Sequence, residues 1–282
     1  MVNFNGTIQP NQALLSIENR AYKFGDGLFE TIKCINGTPQ FWEDHYFRLM
    51  ASMRILRMEI PMTFTMEFLQ EEIFKTLQAN GLDKKSARVR LTIDRGEGGN
   101  YLPTNKKINY SISAFLLNSD SYSIDEAKTC RVDLFKDFFV NESLLSTLKS
   151  ANKMIQILGS IYAQENDLDN CLLLNNAKNV VECLNGNVFL IEGTTIKTPP
   201  LFDGCLNGIL RKQILSLLKN HDTYTVAEES ISTFELQKAD ELFYTNVIQG
   251  IVPITNYRKK GYANEISREI VTLLNSQLGL QT

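Results

Sequence analysis

Residues 88–94 alternate without a break: Val89, Leu91 and Ile93 fall on one side of an extended chain, and Arg88, Arg90, Thr92 and Asp94 on the other. A strand repeats its side every second residue, so this segment demands a sheet with one apolar face and one polar face. Its neighbours read the same way. Val2–Phe4 runs into Asn5-Gly6, and further strands flank Asn36-Gly37, both strong hairpin signals. Tyr110–Leu116 is another strand. Helical spacing enters at Glu43–Met58, where Tyr46, Leu49, Met50, Met53 and Leu56 recur before Pro61, and again at Met66–Ala79. The Gly-rich stretch Arg95–Asn105 is a loop able to cover or line a cavity.

The second half repeats the mixture. A strand at Thr129–Leu134 leads through a loop to Ser150, and a helix over Asn152–Glu165 points Met154, Leu158, Ile161 and Tyr162 inward. Short strands at Cys171–Asn175, Val180–Glu182, Val188–Ile191 and Thr195–Lys197 precede a helix over Ile209–Leu218. A strand at Tyr224–Ala227, a small helix at Thr233–Lys238, a strand at Glu241–Thr245 and a helix at Glu265–Leu278 complete the chain. Many short strands with scattered helices specify an α+β fold, not a regular βαβ series. The polar stretch Asn118–Glu126 reads as a boundary, giving a smaller domain over 1–118, a linker over 119–126 and a larger domain over 127–282.

Composition removes several classes of function. A formal charge of -3 offers no general attraction to nucleic acid or to an anionic membrane. No apolar run reaches the roughly 20 residues that span a bilayer, and the N-terminal segment lacks the pattern of a secretory signal. Five dispersed cysteines without a C-x-x-C and only two histidines point to free thiols in a reducing cytoplasm, and away from a metal centre.

Three features carry possible chemistry. Lys149 follows the apolar approach Leu144-Leu145-Ser146-Thr147-Leu148 to a helix start, where desolvation favours a neutral amine. Glu182 sits in the apolar strand Asn179-Val180-Val181-Glu182-Cys183 and requires a donor partner. Gly208 stands immediately before a helix whose first backbone amides suit a phosphate. Taken singly, Lys149 reads equally as a surface lysine, Glu182 as a chain-end carboxylate and Gly208 as an ordinary helix start. Arg48 and Arg90 likewise read as salt-bridge residues.

In order along the chain, these features fall inside longer blocks. They are Arg20-Ala21-Tyr22-Lys23-Phe24-Gly25-Asp26-Gly27-Leu28-Phe29-Glu30, His45-Tyr46-Phe47-Arg48-Leu49, Leu148-Lys149-Ser150-Ala151-Asn152, Val181-Glu182-Cys183-Leu184-Asn185-Gly186-Asn187-Val188-Phe189, Gly208-Ile209-Leu210-Arg211 and Glu241-Leu242-Phe243-Tyr244-Thr245-Asn246. The series resembles the class IV aminotransferases, pyridoxal 5'-phosphate (PLP) enzymes of fold type IV. The resemblance implies a two-domain fold with PLP in the cleft, a homodimer and a small-molecule substrate. It makes Lys149 the lysine that bonds the cofactor aldehyde and Glu182 the partner of the pyridine nitrogen. Arg48 and the amides of Ile209, Leu210 and Val247 become the phosphate site. Leu210 and Val247 stand where many members carry a hydroxyl, and Gly186 where many carry a serine. Phe29, Arg90 and Asn246 are the substrate contacts that the resemblance implies.

Within the family, Arg95-Gly96-Glu97-Gly98-Gly99, Asn207-Gly208-Ile209-Leu210-Arg211 and Asn246-Val247-Ile248 are similar to aminodeoxychorismate lyase segments. Branched-chain aminotransferase is the second reading, on Arg90 and Phe29-Glu30. D-amino-acid transamination is third, because Phe29 replaces a tyrosine and Asn100-Tyr101 provides no Arg-x-His clamp. A non-catalytic PLP-binding scaffold is the alternative outside enzymes.

Overall fold

The computed structural model of the chain describes residues 1–12 and 15–280. It divides into two compact units, the first comprising Met1–Asp120 with Lys149–Asn152, the second Ser121–Leu148 with Lys153–Thr282.

The first unit is built on a six-stranded sheet. Strands β1 (Val2–Phe4) and β2 (Thr7–Gln9) form the expected hairpin, with Asn5 at φ 50° and Gly6 at φ 85°. Two left-handed residues are what a two-residue hairpin turn of this twist requires. After helix α1 (Arg20–Phe24), strand β3 (Gly27–Ile35) turns through Asn36-Gly37 into β4 (Thr38–Pro39). Helices α2 (Trp42–Ile55) and α3 (Met66–Ala79) precede β5 (Ala87–Arg95) and β6 (Ile108–Leu116). The sheet order is β2-β1-β6-β5-β3-β4, antiparallel throughout.

Register decides which residues share a face. Phe29 lies opposite Thr92, Thr31 opposite Arg90 and Lys33 opposite Arg88, so Arg88, Arg90 and Thr92 stand on the Phe29 side. Val89, Leu91 and Ile93 are fully buried on the other side, with Leu28, Glu30 and Ile32. The alternation of residues 88–93 is therefore realised as read. Asp94 departs from it: the carboxylate is buried and accepts from Asn19 Nδ2 at 2.9 Å and Asn109 Nδ2 at 3.1 Å.

The second unit holds two sheets. Strands β7 (Arg131–Val140), β8 (Asn170–Asn175), β9 (Asn179–Cys183), β13 (Ile231–Ser232), β16 (Asn256–Tyr257) and β17 (Lys260–Gly261) order as β13-β9-β8-β7-β16-β17. Strands β10 (Asn187–Glu192), β11 (Thr195–Thr198), β12 (Thr225–Glu228), β14 (Glu241–Asn246) and β15 (Gly250–Pro253) order as β12-β11-β10-β14-β15. Helices α4 (Met154–Glu165), α5 (Ile209–Leu218), α6 (Glu235–Lys238) and α7 (Glu265–Gln277) surround them. Buried residues of both sheets, including Leu134, Leu172, Val180, Leu190, Leu242 and Tyr257, form one core. The buried Glu241 carboxylate takes the amides of Ile266 and Ser267 at the start of α7, a purely structural use of a buried acid.

Three expectations are corrected. Strand β7 continues to Val140, six residues past Leu134, because Phe135 and Val140 both reach buried positions beside α4. Helix α4 starts at Met154, and it turns Met154 and Ile161 outward at 61% and 46% exposure, while Leu158 and Tyr162 pack inward. The helix is apolar on nearly every side, so periodicity could not choose its inner face. Within residues 119–126 Tyr122 is buried, its hydroxyl donating to Val247 O at 2.7 Å and its amide to Asn275 Oδ1 at 3.0 Å. A polar composition concealed one aromatic anchor.

Candidate cofactor site

In the first unit, Lys149 is held by backbone pairing and not by a helix terminus. Phe29 N–H donates to Lys149 O at 2.9 Å, Ala151 N–H to Gly27 O at 2.8 Å, and Ser150 forms a bridge with Leu28. The expected helix start lies four residues later, with Lys153 at the N-cap of α4. This pairing fixes the half-buried Lys149 over the Phe29 ring, Nζ 4.8 Å from its centroid. Arg90 stacks on the same ring, with Cζ 3.8 Å from the centroid, and its Nε donates to Thr92 Oγ1 at 3.3 Å. Burial, then the neighbouring Arg88, lowers the Arg90 pKa from its ordinary value.

On the opposite face of β3 is a second group. Glu30 accepts from Arg48 Nε at 2.8 Å, from a second Arg48 nitrogen, Nη2, and pairs with His45 Nδ1 at 2.7 Å. Burial pushes the Glu30 carboxyl up, but Arg48 and His45 outweigh it and bring it down to about 2. Burial lowers the His45 pKa against the opposing pull of Glu30. A neutral His45 that donates from Nδ1 exposes a lone pair at Nε2, a buried atom with no partner among the described residues. The fork of Arg48 is thereby set by a carboxylate fixed in turn by a histidine.

In the second unit, Glu182 is 8% exposed on β9. Its Oε2 accepts Leu206 N–H at 2.9 Å, and Gln156 Nε2 lies 3.5 Å from its Oε1. Gly208 is the N-cap of α5, and no side chain caps the helix there. The first-turn amides of Ile209 and Leu210 therefore face an open N-terminus. A Cβ on Gly208 would lie 1.9 Å from Asn187 Oδ1, and Asn187 Nδ2 is committed to Leu206 O at 2.8 Å. Gly208→Ala is accordingly expected to cost about 1–3 kcal/mol of stability and to weaken PLP binding about tenfold, read by thermal melts and a PLP titration. A lowered melting point with unchanged PLP affinity would remove this helix start from the phosphate site.

By its chemistry each group suits one part of PLP: in the first unit an amine and an oriented guanidinium, in the second a carboxylate already accepting one amide and an uncapped helix start kept open by a glycine. Val247 is buried in the β14–β15 turn, its carbonyl taken by Tyr122. Asn246 uses its side chain in that turn, accepting from the amides of Ile248 and Gln249 at 3.1 and 2.9 Å. Arg211 ties α5 to Pro199 O at 2.9 Å and Glu228 at 2.6 Å. Glu30, His45, Gln156 and Asn187 were given no separate roles by sequence reasoning. Glu30 carried the signal used for Glu182, an acid inside an apolar strand; the other three depend on contacts distant in sequence.

The amino-transferase class IV family matches residues 27–257. The chain belongs to this family. Class IV aminotransferases are PLP-dependent, and so is this enzyme. A provisionally named branched-chain-amino-acid aminotransferase of Methanocaldococcus jannaschii is 29% identical, covering 88% of this chain and 84% of the relative. A D-alanine aminotransferase of Listeria monocytogenes is 27% identical, covering 89% and 85%. The crystal structure of a 4-amino-4-deoxychorismate lyase from Pseudomonas aeruginosa superposes with a TM-score of 0.82 at 26% identity, covering 99% of each chain. The α+β fold and the PLP dependence expected from the ordered blocks are thus borne out.

Proposed function

We propose that the chain is an aminodeoxychorismate lyase, converting 4-amino-4-deoxychorismate to 4-aminobenzoate and pyruvate. The observation that carries the reading is the hydroxyl-free anion cup. Leu210 in the first turn of α5 is buried and apolar, as is Val247 in the β14–β15 turn. This leaves backbone amides as the donors where many family members carry a hydroxyl, and both positions fall in segments that are similar to those of the lyase. The lyase from Pseudomonas aeruginosa also matches the chain over nearly its whole length.

PLP, when bound, supplies an electron sink next to the substrate amine. Lys149 would hold the cofactor aldehyde through its amine, and the same amine would take a proton from the substrate ring. The ring C–O bond to the enolpyruvyl group breaks as the ring becomes aromatic, and one proton for the one removed ends on the methylene carbon that becomes the pyruvate methyl, so the atoms balance without a co-substrate. Glu182, which accepts from Leu206 N–H and lies beside Gln156, would pair with the pyridine nitrogen and favour its protonated form. Arg48 and the amides of Ile209, Leu210 and Val247 would hold the phosphate. Arg90, laid against Phe29, presents its guanidinium to a substrate carboxylate. Asn246 acts by shaping its turn, which sets Val247.

Branched-chain transamination is the second reading, favoured by the Arg90–Phe29 stack and by the 29% relative. Purified PLP-loaded enzyme given aminodeoxychorismate with no 2-oxo acid is expected to release pyruvate and 4-aminobenzoate in equal amounts. No product there, with rapid amino transfer from leucine or D-alanine to 2-oxoglutarate, would overturn the lyase reading. We also read the chain as a homodimer, supported by the exposed apolar side chains Met154, Ile157 and Ile161 along α4. All five cysteines are free and buried, which suits a reducing compartment such as the cytoplasm.

A further inference from the structure

The second unit carries a cavity of about 560 Å³ that shares no residue with the proposed cofactor ligands. Its size falls within the range of small-molecule sites. Lys136 of β7, Lys178 of the β8–β9 turn and Arg258 of the β16–β17 turn supply its charge. Because β8, β7 and β16 are consecutive in one sheet, the three cations converge from neighbouring strands. Phe139 and Tyr257 give it an apolar lining, and Phe234, 81% exposed, stands at its edge.

Two observations distinguish this cavity from an ordinary surface depression. The first is backbone conformation. Lys178 at φ 67° and Arg258 at φ 55° both occupy the left-handed region. Glycine or asparagine is the favourable residue there, and a long side chain is held against a local preference. Phe41 and Arg57 share this conformation elsewhere in the chain, but Lys178 and Arg258 are the two such residues that line this cavity, and both are cations. The second is charge. Arg258 pairs with Asp133 at 3.1 Å, whereas among the described residues no carboxylate lies within ion-pair range of Lys136 or Lys178. Lys178 instead lies over the Phe139 ring, Nζ 3.2 Å from the centroid. A cation on an aromatic wall, with a second uncompensated cation beside it, offers an apolar floor and a positive rim to one ligand.

We propose that this cavity binds a small amphipathic anion, a compact apolar or aromatic body bearing one acidic group. The apolar part packs against Phe139 and Tyr257, and the acidic group meets Lys136 and Lys178. A neutral apolar molecule would leave both cations unanswered, and a polyanion would have little use for the aromatic walls.

The test uses PLP-saturated enzyme, so that an empty cofactor site does not compete. Anilinonaphthalenesulfonate and its uncharged analogue phenylnaphthylamine are titrated by fluorescence. The sulfonate is expected to bind about tenfold more tightly than the neutral ring system. Lys178→Gly and Lys136→Gln are each expected to weaken sulfonate binding about fivefold and to leave the neutral dye unchanged, whereas Lys178→Arg retains the affinity. Lys178→Gly should also melt at or above the wild-type temperature, because glycine relieves the left-handed backbone. Equal binding of the two dyes, or undiminished sulfonate binding by both charge-removing variants, would overturn the proposal. A lowered melting point for Lys178→Gly with both dyes weakened would also overturn it, since Lys178 would then be serving the fold.

Discussion

Lys149→Ala is expected to lower turnover by roughly 10⁴-fold while leaving the fold in place. The two halves of this outcome have separate physical origins. Lys149 is proposed to do two jobs with one amine, holding the cofactor aldehyde and carrying a substrate proton, so truncation removes both at once. The fold depends on a different part of the same residue: its carbonyl accepts from Phe29 N–H, and the adjoining Ser150 and Ala151 bridge to β3. Alanine preserves those backbone bonds. Truncation removes the contact of Nζ with the Phe29 ring, and shortening this half-buried side chain should change stability by about 1 kcal/mol or less. Three measurements separate the possibilities. Borohydride treatment of PLP-loaded wild type should add the cofactor mass to the peptide containing Lys149, and the variant should show no such adduct. A small primary amine added to the variant should restore a fraction of the proton-transfer rate. Unchanged turnover by a well-folded Lys149→Ala protein would mean that the amine has been assigned to the wrong lysine.

The way Lys149 is held also shows which kinds of information a linear sequence carries. Local signals survived well. The Asn-Gly hairpins, the alternation of residues 88–93, the helix Met66–Ala79 and the helix Ile209–Leu218 all depend on neighbours within a few residues, and each was legible. The ordered family blocks carried the fold class and the cofactor. Long-range pairing was not legible. Nothing near Lys149 in sequence announces that it will pair with the start of β3, over a hundred positions earlier, and the helix that follows it begins only at Met154. Strands β15, β16 and β17 were missed because they are two to four residues long and lie in a Gly- and Lys-containing stretch without clear alternation. The outward face of α4 was misread because apolar residues nearly surround that helix, so no polar side marked its exposed face.

Asn246 and Arg211 illustrate a different limit. Both belong to blocks that resemble the family, yet the structure uses the Asn246 side chain to close the β14–β15 turn and Arg211 to fasten α5. A motif records what must be present at a site without separating the residues that touch a ligand from those that hold the touching residues still. Hydrogen-bond geometry makes that separation. The same reasoning places Glu30, which had no role of its own in the sequence reading, at the centre of the Arg48 network.

Glu30→Gln is therefore expected to destabilise the cofactor-free protein by about 3 kcal/mol or more, the second large effect. Gln keeps the shape but removes the charge, leaving the Arg48 guanidinium without its buried counter-ion and His45 Nδ1 with a weaker acceptor. The loss has a definite pH signature. The carboxyl of Glu30 is held at about 2, below its ordinary value of 4.5. A depressed carboxyl stabilises the folded state fully above the unfolded-state pKa, and that contribution disappears as pH falls toward the folded-state value. The stability gap between wild type and Glu30→Gln should hence be widest near neutrality and close between about pH 4.5 and 2. Urea melts across that range read it directly. PLP adds a further discrimination. If Arg48 receives the phosphate, bound cofactor supplies the variant with an anion in place of the missing carboxylate, and the rise in melting temperature on adding PLP should be larger for Glu30→Gln than for wild type. Pyridoxal, which lacks the phosphate, should not produce that extra rise. Equal increments for the two proteins with PLP would detach Arg48 from phosphate recognition, even if the stability loss itself appeared as expected.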